Sequence, residues 1–140
     1  MIILGKCHCG NISFRLNWTP EPTEIVARVC TCSFCTKHGG AWTGCPTGSL
    51  AVSVEYPSLV SKYSFCTETA IFHVCSKCGV VPVVTSHIEG GLYAVVNVNA
   101  IEGVDASLFR RVAMTFDNES NDDRLARRKH NWIKNVEYHS

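Results

Sequence analysis

The chain has 140 residues, of which 46% are hydrophobic and 18% are charged, and its formal net charge is +1. This composition predicts a single globular domain over residues 1–140 with a hydrophobic core of its own. The near-neutral charge does not favour nucleic acid or an anionic membrane as a partner. No apolar run approaches the ~20 residues of a membrane span and the N-terminal one is too short for a signal peptide, so we expect a cytoplasmic protein.

Taken in chain order, the hydrophobic pattern predicts a mainly β protein. Residues 11–17 alternate, with Ile12, Phe14 and Leu16 on one face of a strand. Pro82 predicts that its strand lies on a sheet edge, because proline cannot donate to a β-ladder. Two β-branched stretches flank residues 89–91, which predicts a hairpin. The other predicted strands are 25–29, 50–54, 59–65, 70–74, 80–85, 92–98 and 108–116.

Helical signals are weak. Residues 105–110 predict at most a short turn, and residues 118–123 predict a polar surface loop. Residues 122–132 contain many charged helix formers but too few apolar positions for a confident amphipathic helix. The basic residues of this region favour a solvated surface over a binding patch; they are Arg124, Arg127, Arg128, Lys129 and Lys134.

Cysteine spacing is the most informative feature of the chain. Seven of the nine cysteines form a pair, a trio and a second pair; these are Cys7 and Cys9, then Cys30, Cys32 and Cys35, then Cys75 and Cys78. An odd number of cysteines in a cytosolic protein favours metal ligands over a disulfide framework.

The two pairs predict one closed structural zinc site. Closed zinc sites have four ligands, and each pair ends in Cys-Gly, where glycine permits the positive φ of a tight turn. Cys7, Cys9, Cys75 and Cys78 would then join distant strands through one metal. All-thiolate tetrahedral sites suit zinc, although a rubredoxin-like iron site has the same ligands.

The trio predicts a second site with an open coordination position. Catalytic zinc usually has three protein ligands and one exchangeable position, and Cys30, Cys32 and Cys35 lie close enough in sequence to share one metal. Three alternatives stay open: Cys45 or His38 completes a closed site, the three clusters share metals in another combination, or the trio binds no metal and its sulfurs oxidise.

Four other residues near these clusters have less specific signals. Trp42 follows a glycine-rich segment and is placed equally well in a pocket or in the core. His8 is expected to be exposed, and His73 is expected on the surface of a sheet. Cys66 is expected to be a small buried hydrophobic residue.

Together these motifs resemble the glutathione-dependent formaldehyde-activating enzyme family, also called the centromere-protein-V domain family. The resemblance covers most of the chain from Gly5 to about Ala100 and rests on three segments in fixed order. They are Gly-Lys-Cys-His-Cys-Gly from Gly5, Cys-Thr-Cys-Ser-Phe-Cys from Cys30, and Phe-His-Val-Cys-Ser-Lys-Cys-Gly from Phe72.

The resemblance implies a β-tent fold of small packed antiparallel sheets organised around zinc. It implies a structural zinc on Cys7, Cys9, Cys75 and Cys78 and a catalytic zinc on Cys30, Cys32 and Cys35, with Cys32 also near the substrate thiol. The implied reaction joins glutathione to formaldehyde and gives S-hydroxymethylglutathione, which makes the protein a carbon–sulfur lyase. Val80 after the last Cys-Gly is closer to the centromere-protein-V branch, which keeps a non-catalytic, zinc-stabilised interaction module as the alternative.

Overall fold

A computed structural model describes all 140 residues and contains twelve strands, two α-helices and three 3-10 helices of three residues each. The α-helices are α1 (Ser33–His38) and α2 (Asn121–Asn131). The strands are β1 (Ile2–Lys6), β2 (Ile12–Asn17), β3 (Ile25–Cys30), β4 (Ala41–Thr43), β5 (Ser49–Val54), β6 (Val60–Tyr63), β7 (Ile71–Cys75), β8 (Val83–Ile88), β9 (Gly91–Asn97), β10 (Ile101–Glu102), β11 (Phe109–Met114) and β12 (Asn135–His139).

The strands form two sheets, which confirms the mainly β prediction. The five-stranded sheet has the order β10-β1-β2-β5-β12, and the seven-stranded sheet has the order β11-β3-β4-β9-β8-β7-β6. The main core cluster contains residues of both sheets, including Ile3 and Leu16 of the first and Val83 and Val96 of the second, all fully buried. The two sheets therefore share one hydrophobic core.

The alternation predicted at the N-terminal end is present in β2. Ile12, Phe14 and Leu16 are buried, whereas Arg15 and Asn17 are exposed. The hairpin predicted around residues 89–91 is also present, because β8 and β9 pair antiparallel from Val83↔Val96 to Ile88↔Gly91. Period-two patterning thus identified β2 and the β8–β9 hairpin, whereas β1 has the same one-sided burial and was not predicted.

The sheets are antiparallel, as the family resemblance implied, except at one edge of each sheet. β11 pairs parallel to β3, and β12 pairs parallel to β5. Both edge strands belong to the last third of the chain, which returns across the molecule after β9. The direction of such a long-range pairing follows from the path of the chain, not from the local sequence pattern.

The prediction that Pro82 marks an edge strand is wrong. β8 lies between β7 and β9 in the interior of the seven-stranded sheet, and it begins only at Val83. Pro82 precedes the ladder and needs no N–H there, while its carbonyl accepts a hydrogen bond from the backbone N–H of Asn97 at 2.8 Å. Proline is tolerated because it stands just before the first residue of the strand.

Residues 121–131 form helix α2, which corrects the weak helical prediction, and the loop predicted for residues 118–123 covers only residues 118–120. Ser120 is the N-cap of α2, and its hydroxyl accepts a hydrogen bond from the Asp123 N–H at 3.1 Å. Acidic side chains occupy the first turn and basic ones the last, as the helix dipole favours. Capping and charge placement specify this helix where an apolar stripe is missing.

His73 is buried, so its predicted place on a sheet surface is wrong. Its side chain is 3% exposed, with Nε2 2.7 Å from the Thr85 hydroxyl and Nδ1 3.3 Å from the Tyr138 hydroxyl. Burial, together with the charge of Lys62, lowers the pKa of His73 to about 4. Since Tyr138 belongs to β12 of the other sheet, His73 is a neutral polar link between the sheets.

Candidate metal centres and cavity

Four cysteines converge where the two sheets meet. Cys7 follows β1 of the five-stranded sheet, and Cys75 ends β7 of the seven-stranded sheet. Together with Cys9 and Cys78 they form a group whose sulfurs all lie within 4.8 Å of one another. The structure therefore brings together the two pairs that the cysteine spacing assigned to one site.

The local backbone is built to hold these sulfurs. Gly10 and Gly79, the glycines after the two pairs, have φ of 87° and 81°, a conformation that other residues adopt at a cost. The Ile12 N–H points to the Cys7 sulfur at 3.3 Å, and the Cys78 N–H points to the Cys75 sulfur at 3.5 Å. N–H donors of this kind stabilise thiolates, so the donor set fits a soft divalent cation such as zinc.

The pKa values of Cys7 and Cys78, two members of the four-cysteine group, are shifted in opposite directions. Burial raises the pKa of Cys7 to about 12, while Cys7 itself is fully buried. Burial also acts on Cys78, but hydrogen bonds from the backbone of Cys9 and Val80 and from neighbouring thiols outweigh it and lower the pKa of Cys78 to about 6. A metal that binds all four sulfurs must displace the protons of the more basic thiols.

The trio lies where β3 passes into α1. Cys30 is the last residue of β3, Cys32 is the N-cap of α1, and Cys35 is in the first turns of that helix. The three sulfurs lie within 4.8 Å of one another. A strand end, a cap and a helix position thus place three ligand atoms in one small volume over only six residues.

Hydrogen bonds distinguish the three sulfurs. The Cys32 sulfur accepts from the Cys35 N–H at 3.3 Å, and the buried Cys35 sulfur accepts from the Trp42 indole N–H at 3.4 Å. Hydrogen bonding from the Cys35 thiol lowers the pKa of Cys30 to about 6 against the effect of burial. The same contact and burial raise the pKa of Cys35, and burial raises that of Cys32. This set also fits a soft divalent cation, which would replace the remaining protons.

Neither residue considered as a fourth ligand joins the trio. The group of mutually close ligand atoms contains only Cys30, Cys32 and Cys35. The Cys45 thiol donates instead to the Thr19 carbonyl at 3.3 Å. His38 packs against the rings of Phe34 and Trp42, with centroid distances of 4.5 and 6.0 Å. In this arrangement the trio has no protein group in a fourth position.

A cavity of about 410 Å³ opens at the trio. All three cysteines line it, and so do aromatic side chains from separate parts of the chain, namely Trp42, Phe65, Phe72, Phe116 and Trp132. Its volume falls in the usual range of small-molecule sites. Trp42, for which core and pocket positions were equally expected, occupies both: its side chain is 7% exposed and lines the cavity.

The charged lining of the cavity was not predicted from the sequence. Four arginines and two carboxylates face it; they are Arg28, Arg124, Arg127 and Arg128 with Asp117 and Glu119. Three of these arginines belong to the run expected to be a solvated surface, and that expectation is wrong for them. The one local signal was the position of Arg28, two residues before Cys30, which puts both side chains on one face of a strand.

Most of these arginines have partners within the protein. Arg127 makes a bidentate pair with Glu119, at 2.8 and 3.1 Å, and lies 3.8 Å from the Phe116 ring centroid. Arg128 is 7% exposed and donates to the hydroxyls of Thr69 and Ser86 at 2.8 and 3.3 Å. Arg124 donates to the Phe116 carbonyl at 3.0 Å. α2 is therefore attached to the rim of the cavity through its arginines.

The structure confirms the expectation for His8 and contradicts the one for Cys66. His8 is exposed, as expected. Cys66 is not the buried small residue that was expected: it is exposed, lines the mouth of the cavity and has φ of 54°. The segment around it is a tight turn, and a side chain at the outer position of such a turn points away from the core.

Comparison with known proteins identifies the family of the chain. The chain belongs to the glutathione-dependent formaldehyde-activating enzyme family, which matches residues 2–119. It is also similar to a Rhodobacter sphaeroides protein whose crystal structure was solved as a Northeast Structural Genomics target. The two are 28% identical with a TM-score of 0.57, over 74% of this chain and 92% of that one. No curated protein matches the chain.

Replacing Trp42 with phenylalanine is expected to weaken metal binding at the trio about tenfold. The variant keeps an aromatic side chain at this position but loses the indole N–H that donates to the Cys35 sulfur. A chelator competition that resolves the two metals measures this. Trp132→Phe is the matched control, since Trp132 lines the same cavity without donating to a cysteine. Equal affinities in Trp42→Phe and the wild type would show that the indole contributes only packing.

Proposed function

We propose that the protein is a zinc-dependent enzyme that makes or breaks a carbon–sulfur bond in a thiol–aldehyde adduct. The observation that carries the proposal is the trio of close thiols with no fourth protein ligand, facing a cavity of small-molecule size. Membership of the glutathione-dependent formaldehyde-activating enzyme family supports glutathione as the thiol and formaldehyde as the aldehyde. The product is then S-hydroxymethylglutathione.

Each cysteine of the trio has a distinct environment for this chemistry. Cys35 is buried and fixed by Trp42, so it serves as an anchoring ligand. Cys30 and Cys32 are half-buried and line the cavity, and Cys32 is our candidate for the residue next to the substrate thiol. A zinc ion held by these three residues would supply positive charge that lowers the pKa of a thiol bound beside them.

The bond changes in the proposed reaction are simple. The substrate thiol loses its proton, its sulfur attacks the carbonyl carbon of formaldehyde, and a carbon–sulfur bond forms as the carbonyl π bond breaks. The resulting alkoxide takes up one proton, so no oxidant or reductant is needed. The cavity residues hold the two reactants together, which turns a bimolecular encounter into a local step.

The aromatic lining of the cavity supports a small-molecule site over the alternative of a non-catalytic interaction module. Trp42, Phe65 and Phe72 form one side of it, and the Phe65 and Phe72 rings are stacked with centroids 5.4 Å apart. Such walls exclude water, and exclusion of water strengthens electrostatic interactions inside the site.

The place of the protein in the cell is part of the same proposal. All nine cysteines are free thiols, which supports a reducing compartment such as the cytosol. Neither of the two helices has the length and apolar character needed to cross a membrane.

The test of the proposed reaction is an exchange measurement, because glutathione and formaldehyde also combine spontaneously and reversibly. Magnetisation transfer between free glutathione and S-hydroxymethylglutathione reports the rate of exchange. It is measured with the fully metal-loaded protein and with protein from which a chelator has removed the metal of the trio. We expect faster exchange with the loaded protein and a return to the spontaneous rate after removal. Undiminished acceleration without the trio metal would refute the proposal.

A further inference from the structure

One cation in the cavity has no partner in the protein. The Arg28 side chain makes no hydrogen bond or ion pair, and its buried Nη2 has no acceptor. By contrast, Arg127 is paired with Glu119, and Arg128 donates to two hydroxyls. Burying a charge without a partner is costly, so an unpaired guanidinium in a cavity indicates a place for an anion.

Arg28 stands directly beside the metal-ligand trio. It occupies β3 two residues before Cys30, so both side chains lie on the cavity face of that strand, roughly 6–7 Å apart along it. The residues between and before them, Val29 and Ala27, pack on the opposite face in a separate small cluster. On the neighbouring strand Trp42 pairs with Arg28 and also faces the cavity.

The carboxylates of the cavity do not neutralise Arg28. Glu119 is already shared between Arg124 and Arg127. Asp117 is exposed at the rim and forms no ion pair with Arg28. Arg28 therefore has no carboxylate partner in the protein, and its guanidinium is available to an anionic group of a ligand.

We propose that Arg28 binds a carboxylate of the substrate and so selects thiols that carry an acidic group near their sulfur. This inference rests on the proposed function in that the thiol of the same molecule is placed at the trio. A guanidinium donates two parallel N–H bonds to one carboxylate, which gives orientation as well as affinity. The distance between Arg28 and Cys30 suits a ligand whose carboxylate and sulfur are a few bonds apart.

The test measures binding instead of turnover. S-methylglutathione keeps both carboxylates of glutathione but has no free thiol. In its diethyl ester the two carboxylates are esterified as well, so no negative charge remains. Calorimetry with metal-loaded wild-type protein is expected to show binding of S-methylglutathione and at least about tenfold weaker binding of the diester. Arg28→Gln should lower the affinity for S-methylglutathione about tenfold or more and leave the affinity for the diester unchanged.

Two further variants separate charge from folding. Arg28→Lys keeps a cation and is expected to bind S-methylglutathione with an affinity between those of the wild type and Arg28→Gln. Arg110→Gln is the matched control, since Arg110 is on the adjacent strand, is exposed and pairs only with Glu24. Metal content, measured for every variant, checks that the trio is intact.

The outcomes separate this proposal from the proposed reaction. Equal binding of S-methylglutathione by wild type and Arg28→Gln, or no binding by the wild type, would overturn the role of Arg28. If the binding of S-methylglutathione depends on Arg28 but the wild type does not accelerate glutathione–formaldehyde exchange, the carboxylate site stands and the proposed reaction fails. If exchange is accelerated equally by wild type and Arg28→Gln, the reaction stands and Arg28 has no part in substrate binding.

Discussion

Replacing Cys75 with serine is expected to lower the free energy of unfolding of the metal-loaded protein by about 5 kcal/mol or more. Cys75 is fully buried at the end of β7, and its sulfur lies 3.5 Å from that of Cys9, which follows β1 of the other sheet. A metal bound to this group ties the two sheets together, and the folded state alone presents the preformed site. Since whole domains are stable by only about 5–15 kcal/mol, much of the variant is expected to be unfolded at 37 °C.

Urea unfolding, followed together with metal content, measures this effect. Lys77→Ala is the matched control, because Lys77 is exposed in the turn between Cys75 and Cys78 and forms no ion pair. After complete chelation, wild type and Cys75→Ser should differ by only about 1–3 kcal/mol, the cost of burying an unpaired hydroxyl. A loaded wild type whose unfolding curve does not respond to chelation would contradict a structural metal.

The second large effect is expected at Cys32. Cys32→Ser should reduce the acceleration of glutathione–formaldehyde exchange by about 100-fold or more, because the proposed mechanism makes Cys32 both a thiolate ligand and the group next to the substrate thiol. The variant is informative because serine is a good N-cap: its hydroxyl can accept the Cys35 N–H that the sulfur accepts now. Helix α1 should therefore survive the change.

Metal analysis and exchange rates together check this prediction. The metal bound by Cys7, Cys9, Cys75 and Cys78 should remain, whereas the one bound at the trio should be lost or much weakened. Ser33→Ala is the control in the same helix, since Ser33 is exposed and does not line the cavity. Wild-type exchange in Cys32→Ser protein that has lost the trio metal would remove Cys32 from the proposed mechanism.

The two largest predictions concern separate cysteine groups with different consequences. Loss of Cys75 acts on the junction of the two sheets and should lower the free energy of unfolding. Loss of Cys32 acts on the wall of the cavity and should lower the rate of glutathione–formaldehyde exchange, with little change in the free energy of unfolding. An equal loss of stability in both variants would mean that both groups serve the fold, as in a non-catalytic module.

The sequence by itself determined the cysteine groups and most of the strands, but β1, β4, β10 and β12 were not predicted from it. One-faced burial leaves a period-two pattern, as in Ile12, Phe14 and Leu16, and that pattern is local. The trio is also local, since Cys30, Cys32 and Cys35 span six residues and their proximity needs no distant contact. The four-ligand preference of a closed zinc site favoured the pairing of Cys7 and Cys9 with Cys75 and Cys78, and the structure groups these four sulfurs.

Only the tertiary structure decided which other residues meet the trio. Arg28 comes from β3, whereas Arg124, Arg127 and Arg128 come from a helix almost one hundred residues later, and no pattern in either segment refers to the other. The same holds for the parallel edge strands β11 and β12, and for His73, whose burial depends on β12 packing over it. Local periodicity records which face of an element is buried, but what covers that face is set by long-range packing.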